Sequence, residues 1–193
     1  MKTDIILAGV GGQGILSIAS ILGAAALAEN LFLKQAETHG MSQRGGAVVS
    51  HLRISDQAIA SDLIPKGKAD LILSVEPLEA LRYLPFLAPD GYVVANTTPM
   101  LNVPDYPDIK KVIGEIERLA HYVVIDADKF AAEIGNKRAS NVVMLGAAAP
   151  FIQIATEKVE AGIRQVFHKK GEAVVEMNLE AFRAGLEFAR KNQ

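Results

Sequence analysis

Six residues near the start of the chain, Gly9-Val10-Gly11-Gly12-Gln13-Gly14, constrain what it can fold into more than any others. A short apolar run, residues 4–8, precedes them, and an alanine- and leucine-rich stretch of 14 residues, 15–28, follows. That order predicts a strand, a tight glycine turn and a helix. The glycines occupy the first, third and sixth places of the fingerprint that opens dinucleotide-binding βα units. There they let the backbone turn sharply and come close to an anion, while the helix start adds unpaired N–H groups and partial positive charge. The motif alone leaves two readings open: a site for a phosphate-bearing ligand, or glycines that only let strand and helix pack closely.

The stretch 15–28 is apolar nearly all round, so the helix should be covered on more than one side. Ser17, Ser20 and Gly23 interrupt it, and it falls short of the roughly 20 apolar residues that a bilayer span needs. No signal-peptide pattern is visible at the start. The expectation is a soluble, cytoplasmic protein with no membrane association.

Beyond the first unit, residues 31–33 form a candidate second strand leading into a polar loop, 37–46. Residues 47–54 alternate and are rich in valine; they predict a third strand, antiparallel because no helix precedes it. From Ala69 strands and helices alternate. Residues 70–75 predict a buried strand, 77–87 a helix, Pro89-Asp90-Gly91 a turn, and 92–95 a strand. Residues 96–108 are proline-rich surface loop, 109–120 a helix, 121–125 a strand and 128–134 a short helix. The last third is helical: 140–155 is apolar nearly throughout, and Val159, Ile163, Val166 and Phe167 share one face of a 3.6-residue repeat. Val174, Met177, Ala181, Phe182 and Leu186 mark the inner face of a final helix. The implied fold is an α/β, Rossmann-like three-layer sandwich with a mixed, mostly parallel sheet and a helical C-terminal part. Its 193 residues carry no repeat or linker, so 1–193 reads as a single domain.

Composition narrows the chemistry. Lysine and arginine total 20 against 22 aspartates and glutamates, a formal charge of −2 that provides no general basic surface for nucleic acid. With no cysteine, the chain has no disulfide, no thiolate nucleophile and no cysteine ligand for zinc or an iron–sulfur cluster. His51, His121 and His168 lack ligand-like spacing, so no metal site is expected.

The run Glu37-Thr38-His39-Gly40-Met41-Ser42-Gln43-Arg44-Gly45-Gly46 has no apolar pattern that a core would require. Arg44 before two glycines suits an anion site, a cationic fork beside backbone that can come close; it equally suits a surface arginine paired with a carboxylate. His39 reads as a proton shuttle or a hydrogen-bonded loop residue. Glu37 is the nearest candidate for the ribose-binding acid of a nicotinamide enzyme, but Lys34 beside it blurs the signal. Asp126 and Asp128 follow a strand, where they either contact a ligand or cap the next helix. Asn141 reads as an N-cap or a bond to a loop. Glu76 and Glu79 flank Pro77 at a helix start, where carboxylates complement the dipole.

Together, Gly9–Gly14 and His39–Gly46 resemble the gamma subunit or domain of the 2-oxoacid:ferredoxin oxidoreductases, and within it the small (beta) subunits of the indolepyruvate type. The similarity continues through Leu63-Ile64-Pro65, Glu76-Pro77-Leu78-Glu79-Ala80-Leu81-Arg82, Val94-Ala95-Asn96-Thr97, Gly135-Asn136-Lys137-Arg138-Ala139-Ser140-Asn141 and Asn178-Leu179-Glu180-Ala181-Phe182. The resemblance implies a complex that oxidatively decarboxylates an arylpyruvate on thiamine diphosphate and Mg. It passes electrons through [4Fe-4S] clusters to ferredoxin and delivers the acyl group to coenzyme A. The missing cysteines agree with clusters held elsewhere, and no Gly-Asp-Gly segment with a following Asn pair is present for thiamine diphosphate. The reactive groups would then belong to a large alpha subunit, giving a hetero-oligomer, or a homodimer when the chain is alone. This chain would bind none of them tightly. Gly9, Gly11, Gly12, Gln13 and Gly14, with Ser42, Gln43, Arg44, Gly45, Gly46 and Asn141, would line a cleft for coenzyme A phosphates or pantetheine. No residue is assigned a catalytic role beyond His39 as a candidate. The competing expectation is a stand-alone Rossmann-type nucleotide-binding protein or NAD-dependent dehydrogenase.

Overall fold

The central strand β1 (Lys2–Val10) is apolar on both faces because both are covered: Ile5 and Leu7 enter one core, Ile6 and Ala8 the other. In the computed structural model, which describes residues 1–40, 45–101 and 105–192, six strands form one sheet in the order β2-β3-β1-β4-β5-β6. β4 (Ala69–Ser74), β5 (Leu87–Asn96) and β6 (Tyr122–Ile125) run parallel to β1. β3 (Ala47–Ser55) is antiparallel to β1 and to the edge strand β2 (Phe32–His39), as the missing crossover helix required. The sheet is mixed and mostly parallel.

One face carries α1 (Ile15–Ala28), α4 (Ala127–Glu133), α5 (Ser140–Ala148), α6 (Thr156–Phe167) and α7 (Glu172–Lys191). The other carries α2 (Pro77–Arg82) and α3 (Ile109–Ile116). The result is the three-layer sandwich expected. α1 is sandwiched between the sheet and α6, close enough that a Cβ on Gly162 would lie 2.6 Å from the Ile21 carbonyl oxygen.

Several boundaries differ from the sequence reading, each for a local reason. β2 extends through residues 34–39, which have no strand-like apolar pattern, because pairing with β3 satisfies their backbone. The helix predicted over 77–87 stops at Arg82; Pro85 then lies in a 3-10 turn, Leu84–Phe86. Pro89-Asp90-Gly91 bends the chain inside β5 instead of preceding it: Leu87 pairs with Ala69 and Tyr92 with Leu71, leaving Ala88 to Gly91 opposite Asp70. The apolar helix over 140–155 ends at Ala148, where Pro150 imposes another 3-10 turn, Ala149–Phe151. On α7 the buried face is Val175, Leu179, Phe182 and Leu186, so Val174 and Met177 sit at its margin.

Candidate functional site

The carboxyl ends of β1, β4 and β5 meet where helices leave the sheet in opposite directions, the place where doubly wound folds bind ligands. The glycine loop is built there. The Gln13 side chain folds back into it: Oε1 accepts from the Val10 amide at 2.8 Å and Nε2 donates to the Val75 carbonyl at 3.4 Å, stapling β1 to β4. Gly14 has φ +78°, and a Cβ on it would lie 2.5 Å from Nδ2 of Asn141, which donates to the Gly14 carbonyl at 3.0 Å. Asn141 is thus the loop contact the sequence reading offered, not an N-cap; α5 has no side-chain cap, and neither has α1. Gly9 lies inside β1, where a Cβ would fall 2.4 Å from Val75, so its part is close packing.

The second glycine motif meets the first directly. Gly40 donates to the Ala47 carbonyl at 2.8 Å to close the β2–β3 hairpin, and the Gly11 amide donates to the Gly46 carbonyl at 2.9 Å. Ser42, Gln43 and Arg44 lie outside the described residues. His39 ends β2, exposed, with its ring nitrogen against the Glu37 carboxylate. Glu37 also accepts from Gln35 Nε2 at 3.3 Å, and neither it nor His39 borders the cavity below.

That cavity, about 870 Å³, opens from Gly12-Gln13-Gly14 and Ser17 towards β5 and the C-terminal helices. Val75, Asn96 and the segment Thr98-Pro99-Met100 form one side; Asn136-Lys137-Arg138, Ser140 and Asn141 form another. Phe167, Lys170, Val174, Met177 and Asn178 complete it. The uncapped amino ends of α1 and α5 both border it. Lys137, Arg138 and Lys170 add three cations, none ion-paired with a described residue; the Lys170 ammonium lies over the Phe167 ring, 5.1 Å from its centroid. Positive charge at a helix start opposes the dipole and raises the local free energy unless an anion occupies the site.

The Thr98-Pro99-Met100 wall is held from behind by Glu76, which is 1% exposed. Its Oε2 caps α2 by accepting from the Glu79 amide at 3.0 Å, while Oε1 accepts from the Met100 amide at 3.3 Å and the Tyr106 hydroxyl at 2.5 Å. Burial, and then the Glu76 bond, hold the Tyr106 hydroxyl well above the usual phenol range. Burial likewise raises the Glu79 carboxyl, against the opposing effect of Arg82 at 2.9 Å. Asp126 caps α4, accepting from the Lys129 amide at 3.0 Å. Asp128 instead borders the cavity.

Sequence reasoning left Lys137, Arg138, Lys170, Asn96 and Asn178 unassigned. The first two carried a readable signal: basic residues immediately before an apolar helix run against dipole preference. Lys170 carried none, since a basic residue ending a helix is ordinary.

The fold and cavity define a doubly wound α/β domain with a cleft bordered by Lys137, Arg138 and Lys170 at its switch point. The chain belongs to the pyruvate ferredoxin/flavodoxin oxidoreductase family, whose model matches residues 4–188. It is 38% identical to the indolepyruvate oxidoreductase subunit IorB of Pyrococcus horikoshii, across 97% of this chain and 96% of that protein. The IorB of Archaeoglobus fulgidus is 37% identical across 96% and 94%. Among solved structures, the 2-oxoglutarate:ferredoxin oxidoreductase of Magnetococcus marinus, with 2-oxoglutarate, coenzyme A and succinyl-CoA bound, superposes with a TM-score of 0.79 at 25% identity. The match covers 98% of this chain but 31% of that one. The gamma subunit of a keto/oxoacid ferredoxin oxidoreductase from Geobacter sulfurreducens shares the fold, with TM-score 0.72 at 23% identity over 98% of this chain and 99% of that one. Among the described residues no cluster of three or more candidate side chains is placed to hold a metal ion, and no helix is long and apolar enough to cross a membrane.

Proposed function

We propose that this chain is the small subunit of an indolepyruvate-type 2-oxoacid:ferredoxin oxidoreductase and that its cleft binds coenzyme A. The observation that carries the reading is the convergence on one cavity of two uncapped helix starts and three cations that form no ion pair with a described residue. A polyphosphate suits those groups: the N–H dipoles and cations attract phosphate, and the arginine fork can bind it bidentately. Val75, Pro99, Met100, Val174 and Met177 offer apolar surface for a pantetheine arm. Glu76 holds the loop wall in place.

Thiamine diphosphate with Mg supplies the decarboxylation chemistry and [4Fe-4S] clusters carry electrons to ferredoxin, and both belong to a larger alpha subunit in this reading. A chain without cysteine cannot ligate the clusters through thiolates. This subunit orients the acyl acceptor at the seam and helps keep water from it. The cytoplasm is the compartment such a ferredoxin-linked complex would occupy. The nicotinamide alternative is not favoured, because Glu37 is engaged on the edge strand with His39 and Gln35.

Steady-state kinetics of the reconstituted complex test this. Arg138→Ala should raise KM for coenzyme A about tenfold, the loss of one charge-assisted hydrogen bond, and leave KM for the oxoacid unchanged. Equal changes in both constants, or none, would refute the assignment.

A further inference from the structure

Asp128 is an anomaly in the cleft. Its surroundings are cationic, yet among the described residues no Lys or Arg pairs with it. Nor does it cap α4, a task Asp126 performs. It is held instead by Asn96, which is 3% exposed and fully engaged. Asn96 Nδ2 donates to Asp128 Oδ2 at 2.8 Å and to the Val75 carbonyl at 3.4 Å, and its Oδ1 accepts from the Ala127 amide at 3.1 Å. One carboxylate oxygen is thereby anchored to the end of β5, and the other has no hydrogen-bond partner among the described residues.

An ionised carboxylate only accepts, so a ligand group facing Asp128 must donate. Phosphates donate nothing at neutral pH and would be repelled. The geometry points to Asp128 as a specificity residue that accepts a hydrogen bond from the nucleoside of the bound cofactor, through a ribose hydroxyl or the adenine amino group. This rests on the coenzyme A reading above. Doubly wound folds commonly place an acid on a ribose at the carboxyl end of the sheet, but after the second strand. Here it follows β6, at the first turn of α4, because the edge position of β2 carries Glu37 away from the cavity. The cations would take the phosphates, and Asp128 would set which way round the cofactor lies.

The test uses the reconstituted complex and Asp128→Asn, which keeps an oxygen for Asn96 but loses the charge. Inhibition competitive with coenzyme A is measured for adenosine 3′,5′-bisphosphate and for phosphopantetheine. The variant should raise KM for coenzyme A and Ki for the bisphosphate about tenfold each and leave Ki for phosphopantetheine unchanged. Three equal changes, tighter or unaltered binding of the bisphosphate, or no competition by it in the wild type would each overturn the inference. Failure of the underlying reading looks different: Lys137→Ala and Arg138→Ala would then leave all three constants at wild-type values.

Discussion

At the residue scale, neighbours of the same type do different work because the backbone aims them differently. Asp126 and Asp128 stand two positions apart, yet one satisfies a helix amide and the other faces the cleft. His51 is a structural case. It is half-buried against Phe86, ring centroids 5.3 Å apart, and its Nδ1 accepts from the Ile64 amide at 3.1 Å. Burial lowers its pKa below the ordinary 6.5, with Arg53 acting in the same direction and Asp62 against it. Between the folded and unfolded values the unfolded chain binds more protons, so stability is retained above the unfolded pKa and lost as pH falls towards the folded one. Urea midpoints measured from about pH 7.5 to pH 5 should therefore decline. His51→Asn keeps an acceptor without a titrating ring, so its decline should be shallower; an identical slope would show that His51 is not a source of the loss.

At the element scale, the C-terminal helices are locked by small residues. A Cβ on Gly146 of α5 would lie 1.9 Å from the Phe182 carbonyl oxygen, and one on Gly185 of α7 would lie 2.0 Å from that of Val143. The obstacle is backbone in each case, so no side chain can rotate away. Gly146→Ala should force the helices apart and cost about 3 kcal/mol, the upper part of the range for overpacking, measured by chemical denaturation. A loss under about 1 kcal/mol would mean that the crossing adjusts. Such contacts explain what sequence could and could not disclose. The β1–glycine loop–α1 unit, the antiparallel β3 and the apolar α5 were legible because their hydrophobic pattern reports their cover directly. The full length of β2 was not, since only its pairing with β3 makes residues 34–39 a strand. The cleft was half legible. Its glycine side stood out, whereas Asn96, Lys170 and Asn178 are brought to it by β5, the 3-10 turn His168–Lys170 after α6, and α7, and nothing in their local sequence marks that meeting.

For the whole molecule, the proposed function makes the two ends of the sheet divide stability from ligand binding, and the state of their charges tells them apart. A second cavity, about 610 Å³, opens near Lys2, Asp4 and Arg53, at the end of β1 opposite the glycine loop. Its charges are already engaged. Arg53 holds the buried Asp4 carboxylate with Nε at 2.8 Å and Nη2 at 3.0 Å, and its Nη1 donates to the Ser61 and Leu63 carbonyls at 3.0 and 3.1 Å. Lys2 adds a contact to Asp4 at 2.8 Å, and the terminal ammonium meets Asp56 at 2.6 Å. A cavity whose ions neutralise one another has little to offer a charged ligand, whereas in the glycine-loop cleft Lys137, Arg138 and Lys170 form no ion pair with a described residue. Arg53→Met should therefore leave a buried carboxylate with Lys2 alone and destabilise the fold by about 3 kcal/mol, the lower end for a broken buried pair. At a temperature where the variant stays folded, KM for coenzyme A in the assembled complex should match the wild type. Arg138→Ala should do the reverse, with a raised KM and a urea midpoint equal to or slightly above the wild type, since it removes a cation from the start of α5. If Arg53→Met shifted KM as well, the two ends of the sheet would be coupled, and this division between them would fail.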